Sequence, residues 1–305
     1  MKYKILILLV AMTVSCGKLS DKAKDAVDSI SGDAEKSGNI IAYSNAMIDY
    51  MNEAGEKMDR ASGEFGQMKT MVTKKRKPSF FMPTAFIGSV PKIDRNRDGI
   101  LLLKPGNNLP SEIKDKTVAA IKAASDALSN TKKAYEDLKE YYDNEDFKDD
   151  DWAKGIEYVD SIEKGITDFY AKRSEGYKIM RPFTDAAEME LLKDHPLKEV
   201  LIASKKDLGL AEEIVDMVYA EKVDIDALNA KYTELEESVK NNRVLTPDLL
   251  KEHDKERSYK SYYEQLDDFL GEVRKDKRDG KITEGEADDI GDELKYLIRD
   301  YNSFV

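Results

Sequence analysis

Few residues in this chain have types and spacing that could do chemistry, and the first group is a half-formed cation loop. Asp94, Asn96 and Asp98, followed by Gly99, reproduce the opening D-x-N-x-D-G of a calcium loop, where three side-chain oxygens converge around a glycine turn. The closing position, which needs a bidentate glutamate, is Pro105, and Arg95 and Arg97 place positive charge among the ligands. A second partial match, Asp279-Gly280 through Glu286, has its closing acid but carries Lys275 and Lys277 at the first two ligand positions. A tight turn accounts for both, so no metal is expected, and Asp94, Asn96 and Asp98 stand as the calcium candidates. The stretch from Tyr141 to Trp152 includes six acids in the nine residues 143–151. Carboxylates so close together could gather a hard cation or raise one another's pKa for acid–base work. The simpler expectation is a short connection between two long helices, with Asp149 to Asp151 capping the second and facing its dipole.

Other chemistries lack their residues. Two histidines, His195 and His253, cannot build a multi-histidine metal site, and one cysteine, Cys16, makes neither a disulfide framework nor a CxxC pair. His195 precedes Pro196 and His253 sits in a charged stretch, so neither is brought near a nucleophile by sequence. The chain has no G-x-S-x-G elbow, no phosphate loop of the form G-x-x-x-x-G-K-[ST], no G-x-G-x-x-G fingerprint and no H-E-x-x-H pair. The reading is a protein that is not an enzyme and holds no cofactor. With 49 basic against 61 acidic groups the net charge is −12. That balance argues against nucleic acid as a partner, which demands a basic surface to displace counterions from phosphate.

The sharpest signal lies at the start. Lys2 and Lys4 form a positive region, Ile5 to Met12 an apolar run too short to span a bilayer, and Thr13-Val14-Ser15 a small-residue approach to Cys16. This resembles the lipobox of bacterial lipoproteins, although Thr13 stands where leucine is usual. The resemblance implies a signal peptide over 1–15 and a Cys16 that becomes the mature N-terminus bearing acyl chains, palmitate among them. At about 0.8 kcal/mol per buried methylene, two or more chains anchor a protein stably. Processing removes Lys2 and Lys4, leaving a more acidic body that anionic headgroups repel. A linker over 16–39, rich in Lys, Asp, Ser and Gly, is expected to hold it off the membrane. Gly17 is not the aspartate that resembles an inner-membrane retention signal, which favours the outer membrane of a Gram-negative cell.

The elements that carry these residues read as helices. Met47, Met51, Ala54, Met58, Ala61, Phe65, Met68 and Val72 recur at steps of four and three, one stripe of an amphipathic helix. Methionines serve as core filler there; the alternatives are a promiscuous partner groove or, with tyrosines, the lining of a cavity for a small apolar ligand. Ile121, Leu128, Tyr135 and Tyr142 lie seven apart, with Ala124, Thr131 and Leu138 between them, a heptad-like seam. A third run from Trp152 through Ile156, Val159, Ile162, Ile166, Phe169, Arg173 and Tyr177 to Met180 is expected to end at Arg181-Pro182. Tyr259 to Val273 and Ile290 to Phe304 continue the pattern. Thr246-Pro247-Asp248 carries a capping hydroxyl and a first-turn proline, and Thr283 to Glu286 has the form of a capping box. The expectation is an all-α domain over 40–305, an elongated antiparallel bundle of long helices, as one bundle or two meeting near Pro182 or Asn241-Asn242.

One Pro-rich irregular excursion, 73–111, interrupts it with five of the eight prolines. Its apolar patch, Phe80, Phe81, Phe86 and Ile87, is the expected contact for an unknown envelope protein or glycan; the plainer alternative is a crossover whose aromatics tuck into the bundle.

Tyr141-Tyr142, Asp146-Phe147-Lys148-Asp149-Asp150, Ala153-Lys154-Gly155 and the closing Tyr301-Asn302-Ser303-Phe304 together resemble the YiiG-like family of uncharacterised bacterial lipoproteins. The resemblance implies a lipid-anchored, all-helical envelope protein of no established activity, and supplies no catalytic residues. The expected function is a non-catalytic binding or structural module, with a ligand- or ion-binding bundle as the alternative.

Overall fold

The computed structural model describes residues 33–76, 84–220 and 222–305. Among them are eight α-helices and no strand: α1 (Ala34–Thr73), α2 (Ser111–Asp143), α3 (Ala153–Leu191), α4 (Lys198–Val218), α5 (Ile225–Asn242), α6 (Pro247–Glu252), α7 (Glu256–Asp276) and α8 (Glu284–Phe304). The protein is all-α. Contacts divide the described chain into two compact units, 33–187 and 188–305.

The first unit is built from α1, α2 and most of α3. Every member of the methionine stripe on α1 is buried except Phe65, which is half-buried, and the whole α2 seam from Ile121 to Tyr142 is buried against it. Tyr50 lies beside Ser125 and Asp126. Farther along both helices, the Tyr135 hydroxyl donates to the Ala61 carbonyl at 2.6 Å. Residue numbers thus rise together, so α1 and α2 run parallel, a departure from the antiparallel order expected throughout. The excursion is the cause. It travels back along α1, where Thr84 N–H donates to Glu64 (2.8 Å), Lys57 Nζ to the Ile87 carbonyl (2.9 Å), and the Tyr43 hydroxyl to the Leu102 carbonyl (2.7 Å). Two parallel neighbours require a long crossover, and residues 74–110 supply it. Helix α3 then returns antiparallel: Lys69 meets Glu163 at 2.8 Å, Arg173 donates to Asn52 at 3.0 Å, and Thr184 to Ser44 at 3.5 Å.

Two expectations about α3 fail. Ile156 is exposed, because the helix turns Gly155 inward instead, where a Cβ would sit 3.0 Å from the Tyr141 ring. Pro182 does not end the helix, which continues to Leu191. The missing N–H leaves the Lys178 carbonyl without its helical donor, but Phe183, Thr184, Ala186 and Ala187 are all buried beyond it, and that packing carries the helix through.

In the second unit α4 packs on α5 and α8, and α7 packs on α8 and α5, closing a four-helix ring. Helix α8 starts at the expected capping box, with Thr283 N–H donating to Glu286 (2.7 Å) and Glu286 N–H to the Thr283 hydroxyl (3.3 Å). Thr246 does not cap α6. Its backbone lies in the left-handed region (φ 39°), which aims the hydroxyl away from the first turn, so only Pro247 behaves as expected.

Candidate functional site

The feature of the second unit that demands a chemical account is Asp207, a carboxylate of zero exposure in the middle of α4. On this helix Val200, Ser204, Asp207, Ala211, Ile214 and Val218 follow the 4-3-4-3-4 spacing of an inward seam, and all six are buried, so the helix itself forces Asp207 into the core. Three side chains answer it. Ser238 on α5 donates its hydroxyl to Oδ1, Asn242 Nδ2 lies 3.0 Å from both carboxylate oxygens, and the Tyr263 hydroxyl on α7 donates to Oδ2 at 2.8 Å. Burial pushes the Asp207 carboxyl up from its ordinary value, while the donors from Ser238, Asn242 and Tyr263 pull it back. Around them the Tyr262 hydroxyl donates to the Ser204 carbonyl (2.7 Å) and Tyr259 to the Asn242 carbonyl, and burial raises the Tyr259 phenol to about 12.

Above this network a groove of about 530 Å³ runs between α4 and α5, lined by Glu199, Ile202, Ala203, Lys206, Glu234, Glu237, Ser238, Asn241 and Asn242. Ser238 and Asn242 belong to both. They face the groove while their protons point inward to Asp207. Sequence reading missed the site, although two polar residues, Ser204 and Asp207, on successive seam positions of an otherwise apolar stripe are a visible signal.

The residues expected from sequence lie elsewhere. Cys16, Phe80 and Phe81 fall outside the described residues. Phe86 is half-buried with its ring edge-on to Tyr135 at 5.2 Å, whereas Ile87 is 60% exposed. In the calcium-like turn the Asn96 Oδ1 accepts from Gly99 N–H at 2.7 Å, and Gly99 has φ +88°, the conformation that glycine adopts without cost. Its neighbour Arg97 is buried: the guanidinium donates to the carbonyls of Lys92 (3.2 Å) and Arg95 (3.4 Å), meets Glu53 at 3.3 Å, and lies 5.1 Å from the Tyr50 ring centre. This turn is organised around a cation that belongs to the chain. In the second partial loop, Glu286 is spent on the capping box. Among the described residues no three His, Cys, Asp or Glu side chains come together as a metal would need.

The acidic turn resolves into a cap and an aromatic cluster. Asp150 accepts from Trp152 N–H and Lys154 N–H at 3.0 Å each and from the Tyr141 hydroxyl at 2.5 Å, and these bonds hold its carboxyl below the usual range. Of the three expected capping acids it alone does the work; Asp151 pairs with Lys75 instead. Phe147 stacks on Trp152 at 4.5 Å, with Tyr141 edge-on to both, and Tyr142 edge-on to Trp152 and tilted against Phe147. His195 Nδ1 accepts from Leu197 N–H at 3.1 Å, and His253 closes α6.

An all-helical chain with no catalytic constellation at these positions matches a family without an assigned role. Residues 32–194, more than half of the chain, match a domain of unknown function, DUF6845, and the chain belongs to that family. The match spans the first unit and ends just past it. No curated protein matches. Among solved structures, an alpha helical protein from Bacteroides fragilis is similar with a TM-score of 0.60 at 19% identity, over 88% of this chain and 99% of that one. An uncharacterized DUF3829-like protein from Bacteroides thetaiotaomicron has a TM-score of 0.55 at 16% identity, over 90% and 98%. At these identities the likeness is one of fold. No helix of the described residues is long and apolar enough to cross a membrane.

Proposed function

We propose that this protein is lipid-anchored in the bacterial cell envelope, at the outer membrane, and that its helical body is a non-catalytic binding or structural module. The observation that carries the reading is the single cysteine of the chain, Cys16, placed directly behind Lys2, Lys4 and the apolar run Ile5 to Met12. The likeness of its acidic turn and C-terminal tail to YiiG-like lipoproteins supports the same reading. So does the way the body spends its polar groups: Asp150 caps a helix, Arg97 braces a turn, and Asp207 accepts from three side chains of its own fold. The partner is an envelope protein or glycan met through the sequence patch Phe80, Phe81, Phe86 and Ile87, of which Ile87 is exposed.

Metabolic labelling with a palmitate analogue tests the anchor. Wild-type chain is expected to take the label and sediment with membranes, and Cys16→Ala to do neither; an unlabelled, membrane-free wild type overturns the reading. Crosslinking in the native envelope tests the partner, with Ile87→Glu expected to lose the captured species while keeping its helicity.

A further inference from the structure

We propose that Asp276 is a pH-sensitive latch: with a proton on its carboxyl the connection between α7 and α8 is closed, and loss of that proton opens the connection while the four helices stay folded. The argument begins with periodicity. Tyr259, Tyr262, Leu266, Phe269, Val273 and Asp276 follow one another at steps of three and four along α7, and all six are buried. Asp276 is thus the last inward position of an otherwise aromatic and aliphatic seam, and the helix itself turns its carboxyl into the protein. Asp207 meets the same situation on α4, but three side chains donate to it. The Asp276 Oδ2 accepts no hydrogen bond among the described residues.

The charges around it favour the protonated form. Glu272 of α7 and Glu286 and Asp289 of α8 bring like charge to the carboxyl, while Lys275 stands 3.7 Å away and meets Glu272 at 2.6 Å. Lys277 turns to α5, where it donates to Asn229 at 2.7 Å and lies 4.0 Å from the Tyr232 ring centre. Asp288 of α8 accepts from Tyr219, just past α4, at 3.1 Å. The negative end of the α7 dipole opposes a carboxylate here as well. A proton relieves all of this, and burial together with the three acids holds the carboxyl up at about 6. Once ionised, the group reaches water with least disruption by unwinding the last turn of α7. Residues 277–279 bury no side chain, and the bonds between Thr283 and Glu286 that follow are exposed, so this connection is the weakest part of the hairpin. The inference does not rest on the anchor at Cys16.

Hydrogen exchange of the full chain, with each rate divided by its intrinsic chemical rate, tests this across the mildly acidic to neutral range. The reporters are the N–H groups of Lys277, Gly280 and Ala287, which bond to the carbonyls of Val273 and Lys275, of Lys277, and of Thr283. Their protection is expected to fall about tenfold between pH 5 and pH 7 and to level off above about pH 6. It should stay below that of Leu266 and Phe269 in the core of α7 throughout. Asp276→Asn, which keeps the shape but cannot ionise, is expected to hold the higher protection at every pH. Reporters whose protection does not change with pH in the wild type, or that fall equally in Asp276→Asn, overturn the proposal. Reporters as protected as Leu266 and Phe269 overturn it too, because the unit then opens only as a whole. Millimolar calcium that restores protection at pH 7 in the wild type assigns the four acids to a metal, against the proposal.

Discussion

A Cβ placed on Gly165 of α3 would lie 2.1 Å from the Thr131 hydroxyl oxygen of α2 and 3.4 Å from its Cα. The hydroxyl is not free to swing away, since it donates to the Ala127 carbonyl at 2.8 Å within its own helix. The two helices therefore approach as closely as they do only because position 165 has no side chain. Gly165→Ala is expected to destabilise the first unit by about 1–3 kcal/mol, the cost of overpacking, even after the gain in helix propensity. Denaturant unfolding measures this, and a double-mutant cycle sharpens it. In a Thr131→Ala background, where the 2.1 Å contact no longer exists, the same substitution should cost markedly less.

Asp207 supports a graded series. Asp207→Ala leaves the Tyr263 proton buried without its acceptor and removes the partner of the half-buried Ser238 and Asn242, and a loss of about 3 kcal/mol is expected. Asp207→Asn keeps one carbonyl oxygen but turns an amide donor against other donors, so it should fall between alanine and wild type. Tyr263→Phe removes one bond to a charged group and should cost about 1.5–3 kcal/mol. An asparagine variant as stable as wild type in thermal unfolding would show that the charge of the carboxylate contributes nothing.

Much of this fold is legible from spacing alone, and the exceptions share a physical cause. Helical period and apolar stripes mark α1, α2, α7 and α8 because each buries one face, and Thr283 with Glu286 marks a helix start because capping is local. The ends of the excursion fall where proline density places them, at Thr73 and Ser111. What spacing does not report is direction in space. The parallel run of α1 and α2 depends on how far residues 74–110 travel, a tertiary property fixed by contacts such as Tyr43 to Leu102, 59 residues apart in sequence. Pro182 misleads for the same reason, because burial on both sides outweighs a local preference.

The network around Asp207 is harder to read because its groups come from three helices. Ser238, Asn242 and Tyr263 are unremarkable in their own segments, and only Asp207, at an inward position of α4, breaks a pattern. The acidic turn shows the converse. Six clustered acids attract attention in sequence, yet the structure gives Asp150 a capping role and Asp151 a surface ion pair, and the aromatic rings do the packing.

Asp276, at the end of α7, carries a pH dependence. It is 4% exposed, its Oδ2 accepts no hydrogen bond, and burial, reinforced by Glu272, Glu286 and Asp289, pushes its carboxyl up to about 6 against the pull of Lys275 at 3.7 Å. The folded state then holds a proton that the unfolded chain releases near 3.8. Stability from this group is full below that value, declines as pH rises, and is lost once pH passes through about 6. Asp276→Asn, which cannot ionise, should flatten the decline and be the more stable protein at pH 7, by about 2 kcal/mol. Melting temperatures of both proteins between pH 4 and pH 7.5 check this. Parallel curves would remove Asp276 as the source.

Pro182 offers a test of what holds α3 together. The ring removes the N–H that the Lys178 carbonyl requires, while two residues on the Thr184 hydroxyl donates to the Met180 carbonyl at 3.2 Å and buried Phe183 and Ala187 fix the path. If packing alone maintains the helix against the proline, Pro182→Ala restores a backbone bond at no cost to the core. Stability should then rise by about 1–3 kcal/mol, with a small gain in helicity by circular dichroism. Pro182→Gly, which also restores the N–H but not the propensity, should gain less by about 1 kcal/mol. A loss in the alanine variant would mean that the bend imposed by the ring is itself what seats Phe183 and Thr184. In that case Pro182 belongs to the fold as a shaping residue, and the helix continues because of it rather than in spite of it.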